Sequence, residues 1–107
     1  MITRVWHGRT KTTDAVAYLT YVKETGIRGY TLTKGNLGSQ IWQQQEGDIT
    51  HIVVVSWWDG YESIKAFAGE DIAIARYYDE DKRYLLEFEP HVQHYDCHDF
   101  RNSPASS

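Results

Sequence analysis

The sequence predicts a small α+β protein built on an antiparallel sheet, and three observations lead there. The stretch His51-Ile52-Val53-Val54-Val55-Ser56-Trp57-Trp58 is apolar on both faces of a β-strand. Side chains alternate, so His51, Val53, Val55 and Trp57 share one face and Ile52, Val54, Ser56 and Trp58 the other. The chain offers only two good amphipathic helices, enough to cover one face of a sheet. Strand-like and helix-like segments alternate in the order β-α-β-β-α-β.

Each element has its own signal. Ile2 to Arg9 mixes β-branched and aromatic residues and reads as the first strand. The polar turn Thr10 to Thr13 supplies N-cap candidates, and Asp14 suits the positive end of a helix dipole. Ala15, Tyr18, Leu19 and Val22 fall at helical spacing, with Gly26 as the expected stop. Gly29 to Thr33 is expected to be extended, and Lys34 to Gly38 to be a loop. Ser39 to Glu46 reads as a polar strand joined through Gly47 to the central strand, Ile49 to Trp58. Asp59 and Glu62 have capping-box spacing, and Ile64, Phe67 and Ala68 give the second helix its apolar stripe, ended by Gly69. A short helical turn is expected from Glu70 to Tyr78, then a solvated loop at Asp79 to Arg83. Leu85 to Glu89 reads as a short extended piece broken by Pro90, and His91 to Asp96 as the last strand. This is the split βαβ, ferredoxin-like order with an insertion before the last strand. Two subunits packed sheet face to sheet face would bury the second apolar surface, so a homodimer is expected.

Bulk properties narrow the function. One domain is expected over residues 1–100, with 101–107 as a flexible tail. A net charge of -4 argues against a nucleic-acid surface. Cys97 is the single cysteine, which leaves no internal disulfide or cysteine metal cage. No apolar run suits a signal peptide or a membrane span, so a cytoplasmic protein without membrane partners is expected.

No nucleophile elbow, dinucleotide fingerprint, P-loop or HExxH pattern occurs, so neither a cofactor nor a metal is expected. His7, between Trp6 and Gly8, has two readings: a hydrogen-bonded, partly buried histidine, or a group that transfers protons or orients substrate. His91, His94 and His98 read as surface or edge residues. Trp57 and Trp58 point to opposite faces, one to the helices and one to a partner or cavity mouth. Arg76-Tyr77-Tyr78 either caps a helix end or closes one end of a cavity, where arginine and a phenol would steady an anionic oxygen. Four Trp, eight Tyr and three Phe favour a pocket for a flat organic ligand, or a dimer interface. A cavity is therefore expected between sheet and helices, bordered by the end of the first strand, Trp58 and Arg76 to Tyr78.

Val5-Trp6-His7-Gly8-Arg9, Lys34 to Gly38, Val55-Ser56-Trp57-Trp58-Asp59, Ile64 to Phe67 and Leu86-Glu87-Phe88-Glu89-Pro90 together resemble the antibiotic biosynthesis monooxygenase family of the dimeric α+β barrel superfamily. The resemblance covers about residues 1 to 100. It implies a ferredoxin-like protomer that dimerises through its sheets and oxidises phenols or quinols with O2 and no added cofactor. It carries His7, Arg76 and Tyr77 into catalytic roles, with Trp6, Trp58 and Tyr78 at the substrate. A non-catalytic dimeric binder of small molecules is the alternative. A related haem-degrading branch shares Trp58 but lacks counterparts to its first-strand Asn and its His after the second helix.

Overall fold

Residues 1–99 are described in a computed structural model of the chain; the expected tail, 101–107, lies outside them. The strands are β1 (Ile2–Lys11), β2 (Asn36–Glu46), β3 (Ile49–Trp58) and β4 (Gln93–Asp96). They pair antiparallel in the order β2-β3-β1-β4, which is the ferredoxin-like sheet. The helices α1 (Ala15–Val22), α2 (Arg28–Leu32) and α3 (Tyr61–Ala68) follow β1 and β3.

The register of β1 against β3 decides which residues look inward. Trp6 faces Val54 and His7 faces Val53. Ile2, Arg4, Trp6, Gly8 and Thr10 alternate as buried positions on β1, matching Ile52, Val54, Ser56 and Trp58 on β3. That face lies under the helices and forms the core with Tyr18, Val22, Tyr30, Ile64 and Phe67. Trp58 is fully buried there and donates its indole N–H to Ser56 Oγ at 2.9 Å, so neither polar atom is left unmet.

The first helix departs from expectation. It does not stop at Gly26; a π-helical turn, Lys23–Ile27, carries it into α2, so the segment expected to be extended is helical. The reason is phase. Tyr18, Val22, Gly26 and Tyr30 recur every fourth residue and all border one cavity. At about 100° per residue an unbroken α-helix would swing Tyr30 about 120° from Tyr18. The wider π-turn takes up one residue and returns Tyr30 to within about 20°.

Other differences are local. α3 is capped by Gly60 without a side-chain bond, and Asp59 instead accepts a hydrogen bond from Ser63 Oγ. Strand β2 begins at Asn36, inside the expected loop, with an irregularity before Gly38. The segment after Gly69 is no helix. The expected loop at Asp79–Arg83 is a 3-10 turn, fixed because buried Asp81 accepts from the Tyr78 backbone N–H (2.6 Å) and Tyr18 Oη (2.8 Å). Beyond β4, the outer edge of β1 is covered by the chain after Tyr84, through the Thr10–Leu85 bridge and the Leu86 N–H to Arg9.

Candidate functional site

A cleft between the sheet and the helices encloses about 40 Å³. That holds about three waters or a small head group, whereas whole-ligand pockets run to roughly 300–1,000 Å³. Its inner wall is buried and ringed by Trp6, Tyr18, Tyr30 and Phe67; its rim is Thr25 and Gly26 of the π-turn with Tyr78 and exposed Arg76. A wider depression of about 510 Å³ at the β2–β3 hairpin end is lined only by exposed or half-exposed residues such as Lys11 and Gln45. With no ring and no buried polar group in its wall, it is the weaker candidate.

Two glycines let the wall close up. A side chain at Gly8 would strike the Trp6 ring at 2.5 Å and Leu85 at 2.8 Å. At Gly29 a Cβ would press on Phe67 at 3.0 Å and on the Tyr78 hydroxyl at 3.1 Å. The space left by the missing side chain at Gly8 is therefore filled by the indole of Trp6 and by Leu85.

The six residues expected at the site divide. Trp6, Arg76 and Tyr78 border the cleft. Trp58 stands behind it, edge-on to Tyr30 at 5.6 Å and 6.0 Å from Phe67. Tyr77 packs edge-on against Trp6 (6.3 Å) and Phe88 (4.9 Å), and its hydroxyl donates to the Glu89 carbonyl. His7 lies across the sheet, on the face without helices. There its Nδ1 bonds Glu89, and its Nε2 meets Nδ1 of His51 at 2.9 Å with the two rings stacked. The alternation of β1 forbids Trp6 and His7 from sharing a pocket.

The residue that sequence reading missed is Arg4. It is 1% exposed and borders the cleft, and no carboxylate pairs with it among the described residues. Nη1 donates to the Ile72 carbonyl (2.6 Å) and to His94 Nε2 (3.0 Å), and the guanidinium stands 5.9 Å from the centre of the Phe67 ring. Nε has no aligned acceptor, though the Tyr30 hydroxyl lies near enough to favour the cation. Burial works the other way and lowers the Arg4 pKa. His94 must stay neutral to accept that bond; burial first, and the Arg4 charge second, push it down to about 4. A signal for Arg4 existed: it sits in phase with Ile2 and Trp6 on the inward side of β1.

Arg76 spans the rim. Its Nη1 donates to the Phe67 carbonyl (2.8 Å), and its guanidinium lies 4.9 Å and 5.1 Å from the centres of the Phe67 and Tyr78 rings. Burial raises the Tyr78 phenol above its ordinary value, so it stands as a proton donor at neutral pH. No cluster of three or more metal-binding side chains occurs among the described residues, and none of their helices is long and apolar enough to cross a membrane.

No known family profile and no curated relative matches the sequence. Solved structures do match. An uncharacterised NIPSNAP domain protein from Burkholderia xenovorans aligns over 96% of this chain and 100% of its own, with TM-score 0.63 and 17% identity. MhuD, as an arginine-to-serine point mutant with two manganese protoporphyrin IX bound per active site, gives 0.61 and 14% over 96% and 100%. Rv0793 from Mycobacterium tuberculosis gives 0.54 and 12% over 95% and 100%. The protein shares its ferredoxin-like α+β fold with these structures.

At these identities the likeness is one of fold. Within that shared fold, the cleft's own residues determine which ligands suit it. Among the described residues, no histidine, cysteine or methionine borders it. An iron porphyrin would find none of the usual nitrogen or sulfur ligands there, and the enclosed space is far too small for one. Tyr18, Tyr30 and Tyr78 leave a phenol oxygen as the one ligand type on offer, and with the macrocycle too large for the enclosed space haem does not fit this cleft.

Proposed function

We propose that the cleft binds an aromatic small molecule of the phenol or quinol class, and that a homodimer oxidises it there with O2 and no added cofactor. The observation that carries this reading is a ring-walled cleft with a guanidinium at its rim. MhuD, of the same fold, holds a flat macrocycle at its active site; flat ligands suit walls of Trp, Tyr and Phe. Arg76 favours the ionised phenolate or enolate oxygen, and the Tyr78 O–H donates to the same oxygen. The ionised ring is then the reductant: the unsubstituted ring carbon opposite the oxygen, a methylene in the keto tautomer as in anthrone, reacts with O2 to give a carbonyl and one water. The ring body occupies the mouth, above the small enclosed part.

A second reading, binding without turnover, has its own support. Asp81 is the one carboxylate bordering the cleft, and both of its oxygens are occupied by Tyr18 and the Tyr78 backbone. A substrate that must be deprotonated would find no free base. Oxygen uptake against a panel of hydroquinones and anthrone separates the two. Turnover is expected with at least one of them, and Arg76→Ala should lower it about 10²-fold. His7→Ala should leave it nearly unchanged, because His7 lies on the other sheet face. Raised melting temperature without oxygen uptake supports binding alone; no uptake and no stabilisation overturns both readings.

A further inference from the structure

We infer that the cleft is an anion site, with buried Arg4 as the group that receives the carboxylate of a flat aromatic monoanion. The inference rests on the proposed function and names the ligand's charge and the atom that holds it. Among the described residues, two buried side-chain nitrogens lack an aligned acceptor: Arg4 Nε, although the Tyr30 hydroxyl stands beside this guanidinium, and Trp6 Nε1. Both are donors, and both residues border this cleft. The Tyr77 phenol sits beside Trp6 without supplying an aligned acceptor. An unmet buried donor is costly and an unpaired buried guanidinium more so, which makes their coincidence in one wall a pointer to an acceptor from outside the chain.

Charge and size agree on the class. The cleft is bordered by two guanidinium groups, Arg4 and Arg76, and by one carboxylate, Asp81. One negative charge, a carboxylate at Arg4 while the phenol at the rim is still protonated, balances it. Nε lies on the side edge of the guanidinium fork, the edge that takes the two oxygens of a carboxylate together. The enclosed 40 Å³ suits such a head group rather than a ring system. The aromatic body then rests at the rim against Tyr78 and Arg76, where the cation faces a ring. His94 is a neutral acceptor behind Arg4 and adds no competing charge.

The test compares benzoate with benzamide, nearly the same shape without the charge, by calorimetry on the full chain at pH 7.5. Benzoate should bind at least tenfold more tightly. Arg4→Met, close in length but uncharged, should abolish that preference while circular dichroism and sedimented mass match the parent. If Arg4→Met does not fold, Arg4→Lys serves: it keeps the charge but loses Nε, and the preference should fall by about tenfold or more. Equal binding of the two ligands by the parent overturns the anion site and leaves the aromatic cleft standing. A preference unchanged in the Arg4 variant overturns the assignment to Arg4. Failure of benzoate, benzamide and the hydroquinone panel alike overturns both this inference and the proposed function.

Discussion

The two faces of the sheet are built from the same strands and differ in nearly every other respect. Under the helices, Ile52, Ser56 and Trp58 are 0% exposed and their polar atoms are met, apart from the two donors in the cleft. On the other face, Trp42 and Tyr95 are 52% and 56% exposed, Val5 and Val53 are half-buried, and the charged groups pair within the surface. Arg9 makes a forked ion pair with Glu87 (2.7 and 2.9 Å), which pulls the Glu87 carboxyl below its ordinary range; His7 joins Glu89 and His51. One face is complete in a single chain. The other combines exposed rings with already-satisfied charges, the composition of a surface that meets a second copy. Alternation along a strand thus sets the surface offered to a second copy and the proposed ligand cleft on opposite faces, one residue apart.

The largest expected effect breaks the open face. Val53→Glu should place two carboxylates near each other across a sheet-to-sheet dimer, costing about 4 kcal/mol and raising the dissociation constant about 10³-fold. Sedimentation should show twice the 12.4 kDa chain mass for the parent and the single mass for the variant at equal micromolar concentration. A monomeric parent would remove the contrast between the faces. The covered face should respond in the opposite sense. Gly8→Ala drives a methyl into the Trp6 ring and Leu85, and should cost about 1–3 kcal/mol in urea unfolding without altering the mass.

The smallest effect is a pH slope. His94 keeps a folded pKa of about 4 against an ordinary 6.5. Above pH 6.5 both folded and unfolded chains leave it neutral and its contribution is full. As pH falls from 6.5 towards 4, the unfolded chain takes up a proton that the folded one refuses, so stability is lost across that window. Urea midpoints at pH 7 and pH 5 should differ less in His94→Gln than in the parent. An equal slope in both would show that His94 takes up its proton alike in the folded and unfolded chains, with neither burial nor Arg4 holding it neutral.

The sheet order and the assignment of inward residues on β3 were legible because period-two alternation is a strong signal in a strand so apolar on both faces. The fold likeness was legible for the same reason. The first helix was misread past Val22 because a four-residue repeat fits neither an α-helix nor a strand, and Gly26 and Gly29 imitate a stop. Gly29 is in fact where the helix comes close to Phe67 and Tyr78. The site was half legible. Trp6, Arg76 and Tyr78 came from the sequence, whereas His7 was placed with them although its neighbour's position excluded it. Arg4 was passed over because a charge near a strand's start is usually a solvated end. Asp81 was hidden in an acidic-basic run whose other members are mostly exposed.

The π-turn has a consequence for comparing this chain with others. Lys23–Ile27 holds one residue more than a straight helix needs, and it sits between the two stretches that border the cleft. Removing a residue there would scarcely shorten the helix, by about 1.5 Å. With the extra residue gone the helix runs straight, and eleven steps of about 100° still leave Tyr30 within about 20° of Tyr18, in the wall. A one-residue gap aligned to this stretch therefore marks a relative without the bulge but with the same face turned to the cleft, and alignments that put the gap elsewhere will pair the wrong side chains.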